Sequence, residues 1–227
     1  MSDFVAKGIE SCQDGKFEKG VEYFDKALNA SPTDLLALAN RARALSRIDR
    51  LADSLKDFEK LVSLQPTNAQ FLGDYAVALH LNDRNEEAAI EFDKAQALEP
   101  QNPYRYSSRA FFKDRIGDHE GAIADYDKCI ELDPEDAIAL NNRGLVEEKL
   151  GYKERSKKSF DQSNELVGYD PDEQAGDKPQ ISKPKSQKAI SEIAPPTTRW
   201  SVIKSVFTKE GFSDFLSFYK DKIKPKK

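Results

Sequence analysis

The sequence predicts an all-α protein: a solenoid of about five helix-turn-helix units, followed by a linker and an amphipathic helical tail. Three observations carry this prediction. Pro32, Pro66, Pro100 and Pro134 stand 34 residues apart. Gly15, Asp49, Asp83, Gly117 and Gly151 recur at the same interval of 34, falling about midway between the prolines. Between these markers the apolar residues follow the i, i+3, i+4, i+7 spacing of a helix with one buried face.

The markers explain each element in turn. Proline lacks an N–H and clashes with the preceding turn, so each Pro closes a unit. Gly and Asp tolerate left-handed backbone angles, so each marks a tight turn between two helices. The units run near 1–34, 35–68, 69–102, 103–136 and 137–168. Phe24, Phe58, Phe92, Tyr126 and Phe160 form an aromatic column. Gly8, Ala42, Ala76, Ala110 and Gly144 form a column of small residues, where helices must approach closely. A second small column is Gly20, Ser54, Ala88, Ala122 and Ser156. In the third unit Leu72, Ala76 and Leu79 line the first helix, and Ala88, Phe92 and Ala95 the second.

Taken together, these columns resemble the tetratricopeptide repeat, with its small residue in helix A, its Ala-x3-aromatic pair in helix B and its closing Pro. The resemblance covers residues 1–168 and is strongest in the third unit. It implies a right-handed superhelix of stacked hairpins, with a concave groove lined mostly by A helices. The fifth unit departs from the pattern. Gly168 replaces the closing Pro, and Ser156 and Ser163 replace small apolar residues. Its second helix, Tyr152 to Val167, is polar and reads as the cap of an open solenoid.

Beyond the repeats the composition changes. Residues 169–198 scatter Pro171, Pro179, Pro184, Pro195 and Pro196 among Lys, Ser, Gln and Asp, and read as a flexible linker. Such a coil would span roughly 30 Å. Residues 199–227 read as a helical tail with Trp200, Ile203, Phe207, Phe212, Phe215, Leu216 and Tyr219 at helical spacing, then a basic terminus. An aromatic face of this kind costs about 25 cal/mol per Å² when left in water, so it is expected to be covered. Three coverings are open: the chain's own repeats, a partner or a second copy of the chain, and a membrane surface approached with polybasic help. Residues 1–167 carry 23 basic and 32 acidic groups, and residues 168–227 carry 12 and 8, so the net charge of -5 divides into -9 and +4. This opposition favours the first covering.

Several function classes are excluded. A net charge of -5 argues against nucleic-acid binding by the chain as a whole. Two cysteines, Cys12 and Cys129, lie far apart inside helical patterns and point to a reducing compartment. No signal peptide and no apolar run long enough to span a bilayer is seen, so a cytoplasmic location and no integral membrane segment are expected. His80 and His119 stand in no metal-ligand spacing, and His119 is expected to be exposed. No phosphate loop, nucleophile elbow or paired-carboxylate motif occurs, and the acidic residues read as solvated helix faces. The expectation is a non-enzyme without metal or cofactor.

The resemblance places candidate binding residues on the inward faces of the A helices. These are Asn40, Arg43 and Arg47 in the second unit, and Gln70, Asp74, Val77 and His80 in the third. The fourth contributes Tyr104, Ser108, Phe111 and Arg115, and the fifth Asn141, Asn142 and Leu145. Amides to hold a backbone, arginines for carboxylates and aromatics for apolar side chains suit a peptide. One specialised form of the family binds a chaperone C-terminal carboxylate through Lys, Asn, Asn, Lys and Arg. Asn40 matches one of these positions, but Val5, Ile9, Gln70 and Asp74 occupy the others, and this clamp is rejected. The expected function is a scaffold or adaptor that binds a partner's peptide or helix. The alternatives are an adaptor autoinhibited or membrane-tethered by its tail, and a regulatory subunit or assembly factor of an enzyme complex.

Overall fold

A computed structural model of the protein describes residues 3–168. They form ten helices and, among the described residues, no strand. The A helices are α1 (Asp3–Gln13), α3 (Leu35–Arg47), α5 (Ala69–Leu81), α7 (Pro103–Ile116) and α9 (Ala137–Lys149). The B helices are α2 (Phe17–Ala30), α4 (Leu51–Leu64), α6 (Asn85–Leu98), α8 (His119–Leu132) and α10 (Lys153–Val167).

Each helix boundary has a local cause. The five turn residues all take left-handed angles: φ is 77° at Gly15, 63° at Asp49, 62° at Asp83, 89° at Gly117 and 77° at Gly151. The residue after each donates its N–H to a carbonyl five positions back, as in Lys16 to Ser11 (2.8 Å), Arg50 to Leu45 (2.9 Å) and Tyr152 to Glu147 (2.9 Å). That bond satisfies a carbonyl at the end of the A helix and fixes the angle at which helix B departs. The inner A helices begin differently. Asp34, Asn68, Asn102 and Asp136 are also 34 residues apart, and each accepts a bond from a first-turn N–H: Ala37 (3.0 Å), Phe71 (3.1 Å), Tyr104 (3.1 Å) and Ala139 (2.9 Å). Such caps satisfy donors that the helix itself leaves unpaired.

The small and aromatic columns pack as the spacing predicts. Ala42, Ala76 and Ala110 are completely buried, and Phe24, Phe58, Phe92 and Tyr126 are nearly so. A methyl group added at Gly8 would sit 2.4 Å from a ring carbon of Phe24, and at Gly144 2.8 Å from Phe160. In the first unit the Cys12 sulfur fills the space that a side chain at position 20 would need. One apolar cluster runs from α1 through α6 and accepts Phe112 from α7; a second joins α7, α8 and α9. Phe112 stacks on Phe92 at 5.0 Å and meets the His80 ring edge-on at 5.3 Å. Phe160 is only half-buried, because no further unit covers α10 among the described residues.

A polar ladder sews the units together. Arg41 on α3 holds Asp57 of its own B helix at 2.7 and 2.8 Å and Asp25 of the preceding one at 2.7 Å. Arg109 repeats this with Asp125 at 2.6 and 2.8 Å and Asp93 at 2.7 Å. Arg143 does so with Ser159 at 3.1 Å and Asp127 at 2.7 Å. The carboxylates here correct the expectation that acidic residues lie on solvated faces. Asp57, Asp125 and Glu147 are buried, and bidentate arginine contacts make the burial of Asp57 and Asp125 tolerable. Glu147 also accepts from Ser159 at 2.7 Å and pairs with Arg155 at 3.0 Å. The serines of the fifth unit are satisfied as well: Ser163 donates to the Ala137 carbonyl at 2.8 Å, and Ser156 to the Lys153 carbonyl at 3.0 Å.

In the third unit the ladder lacks its arginine. Tyr75 stands in that place, and one oxygen of Glu91 is buried with no hydrogen-bond partner. An unmade bond at a buried acceptor is costly.

Two outcomes follow for stability. Phe92→Ala is expected to cost about 3–5 kcal/mol in chemical denaturation, because the ring is buried at the centre of the array. Tyr75→Arg is expected to raise stability by about 1 kcal/mol, by giving Glu91 a donor and completing the ladder. A thermal melt that moves downward would show that the site cannot accommodate the guanidinium.

Candidate peptide-binding groove

Successive A helices pack on one another, α1 with α3, α5 with α7 and α7 with α9, while no comparable packing joins successive B helices. The A helices therefore lie on the inside of the curve, and their inward faces form its concave wall. This is a consequence of the columns: small residues let A helices approach, and bulkier B helices splay on the outside.

The candidate residues divide into two groups. In the second and third units they are held by contacts within the repeats, and three of them, Arg43, Gln70 and Asp74, bond to one another. Arg43 pairs with Asp74 across the units. Gln70 donates to Asp74 at 3.1 Å and accepts from Arg105 at 3.1 Å. Arg105, which the sequence reading missed, is buried and also holds Glu99 at 2.8 Å. One polar network thus runs from α3 through α5 to α7. Arg47 lies over the Phe17 ring at 5.6 Å, and burial lowers its pKa from the usual arginine value. Asn40 donates to the Leu36 carbonyl of its own helix at 2.8 Å. His80 sits against Phe112 and lies 2.7 Å from the Asn85 side chain.

The fourth and fifth units present a different surface. Tyr104 is 54% exposed, Leu145 44% and Ile138 70%. The Arg115 guanidinium lies 4.8 Å from the centroid of half-buried Phe111. Ser108 lies near the Tyr104 hydroxyl, and Asn142 near that of Tyr126. Ile138 was not among the residues read from the sequence. Its signal was available, since it lies 34 positions after Tyr104 in a column that also holds Leu36 and Gln70. The far end of this surface is tied by Asp114, which binds Lys149 of α9 at 2.6 and 2.7 Å and lies 3.0 Å from His119. His119 is therefore half-buried and partnered, not simply exposed as its place after the turn suggested.

Other chemistry has little to build on. Both cysteines are buried and unpaired with each other, and burial pushes their thiols up to about 11 at Cys12 and about 12 at Cys129. A thiol so placed is a poor nucleophile. Among the described residues no group of His, Cys, Asp and Glu is placed to hold a metal ion, and no helix is long and apolar enough to cross a membrane. The tail candidates Trp200, Ile203, Phe207, Phe212, Phe215, Leu216 and Tyr219 lie outside the described residues.

Comparison with known proteins agrees with this architecture. A tetratricopeptide repeat model matches residues 39–103, and a TPR repeat model matches residues 115–151. A search of curated proteins returned no match. Among solved structures the chain is similar to MamA, at 23% identity and a TM-score of 0.61, with 78% of this chain and 98% of that one aligned. It is also similar to TTC0263, a thermophilic TPR protein of Thermus thermophilus, at 16% identity and a TM-score of 0.62, covering 77% and 95%. A third is YrrB, described as a TPR protein with an unusual peptide-binding site, at 15% identity and a TM-score of 0.55, covering 73% and 85%. At these identities the likeness speaks for the fold. With the 34-residue columns, the left-handed turns and the two matching repeat models, the chain carries tetratricopeptide repeats over residues 39–103 and 115–151.

Proposed function

We propose that this protein is a scaffold or adaptor that binds a segment of a partner protein along its concave face, and that it is not an enzyme. The observation that carries this reading is the run of exposed apolar side chains on successive inner helices, Tyr104 on α7 and Ile138 and Leu145 on α9. Apolar side chains scattered singly over a surface are ordinary, but a group aligned at repeat spacing on one wall is a surface for another chain. The ion-paired network of the preceding units supports the same reading, because it holds the wall rigid and so lowers the ordering cost of binding. YrrB, similar in fold, is described as having a peptide-binding site, which agrees with this use of the fold.

A second reading rests on the sequence of residues 199–227. Its aromatic face and its charge of opposite sign to the repeats suit a built-in ligand that a partner displaces. Trp200 is the single tryptophan of the chain, so its emission reports on this tail alone. Solvent-like emission from the intact protein would contradict autoinhibition. Blue-shifted emission that moves to the red on partner binding would support it.

The principal test is affinity purification with full-length variants. Ile138→Asp and Tyr104→Ala are expected to lower partner recovery at least about ten-fold, the loss of one good apolar anchor. Ile90→Asp, at an equally exposed apolar residue on a B helix, is expected to change nothing. Equal loss from both faces, with unchanged melting temperatures, would overturn the groove as the binding site.

A further inference from the structure

The concave wall is divided chemically, and the division says what its partner must carry. On the wall of the second and third units Arg43 is answered by Asp74, and Arg105 at the start of the fourth by Glu99 and Gln70. A peptide charge arriving there would have to replace an existing pair, with both members desolvated. At the far end Asp114 is answered by Lys149. Between these regions the wall exposes the apolar side chains of Tyr104, Ile138 and Leu145.

One cation on this apolar stretch is not answered. Arg115 is exposed, lies over the Phe111 ring, and meets no carboxylate among the described residues. The ring holds the guanidinium in place without neutralising it, which leaves the planar donor fork free for a carboxylate. Tyr104, Phe111 and Arg115 fall at i, i+7 and i+11, one face of α7. A single guanidinium of this kind seats a single carboxylate.

We propose that the C-terminal half of the groove selects a partner segment bearing large apolar side chains and one carboxylate, the apolar side chains covering Tyr104, Ile138 and Leu145 and the carboxylate seated on Arg115. This rests on the groove being the binding face, and it specifies which part of the groove binds and what it reads. It also runs against the chain's overall charge: a repeat array of net -9 would attract basic partners at long range, whereas the local chemistry selects an acidic group at short range.

The test is selection from a display library of short random peptides on the full-length protein, followed by affinity measurements on the enriched peptides. The expected result is a consensus of two or more large apolar residues with an Asp or Glu at fixed spacing. Arg115→Glu is expected to weaken these peptides by about ten-fold or more and to enrich Lys or Arg at the same place instead. Arg115 is exposed, so this variant is expected to melt like the parent protein. A consensus without an acidic position, or acidic peptides that bind Arg115→Glu unchanged, would overturn the proposal while leaving the groove as the site. Peptides that bind Ile138→Asp and Tyr104→Ala unchanged would overturn the groove itself, as would a library that yields no binder.

Discussion

The close approach of a small residue on each A helix to an aromatic ring on its B helix is the contact on which the rest of this structure depends. At Gly8 and Gly144 there is no room even for a methyl group without displacing the Phe24 or Phe160 ring. The contact fixes the distance and angle within a hairpin. Repeated every 34 residues, it makes the hairpins alike enough to stack. Left-handed turns and carboxylate or amide caps then bring the chain into and out of each helix at the same angle. None of these devices buries much by itself. A solenoid unit gains its stability by covering its neighbour, so uniform geometry is the condition for any core at all.

Uniform stacking also separates two kinds of surface. The A helices draw together and create the wall, while the outer seam is left to arginines that join carboxylates from two B helices. These partly buried pairs would be strongly destabilising if one member were lost, but as a set they lock the register between units. A second network, from Arg43 to Arg105, lies on the wall and removes charge from that part of it. What remains open is apolar, next to one arginine. On the proposed reading, recognition is a remainder: the binding surface is where the contacts that hold the array together leave side chains unused.

Much of this was legible in the sequence, because the features that build a repeat are local. Proline and the Gly or Asp turn column gave the hairpin ends, and the buried columns gave the core in advance of any coordinates. The caps at Asp34, Asn68, Asn102 and Asp136 had the same period and were legible in principle, although the eye goes first to apolar residues. The ladder was not legible. Arg41 and Asp57 are 16 residues apart on different helices, and only the packing angle shows that they face each other. For the same reason Arg43 and Asp74 read as two independent groove residues when they form one ion pair, and His119 read as exposed when Asp114 holds it. Ile138 was overlooked because an exposed apolar residue looks like a core residue until burial is known. The tail readings stand on sequence alone.

The most direct test of the central claim, that the A-helix wall and not the outer face meets the partner, is site-specific photocrosslinking in cells that make the protein. A benzophenone amino acid would replace Tyr104 on the wall in one variant and Ile90 on the outer face in another. Tyr104 and Ile90 are both 54% exposed, so the two probes sample solvent equally. The account predicts a discrete crosslinked protein from position 104 and none from position 90. Crosslinks from position 90 alone, or the same products from both, would contradict it.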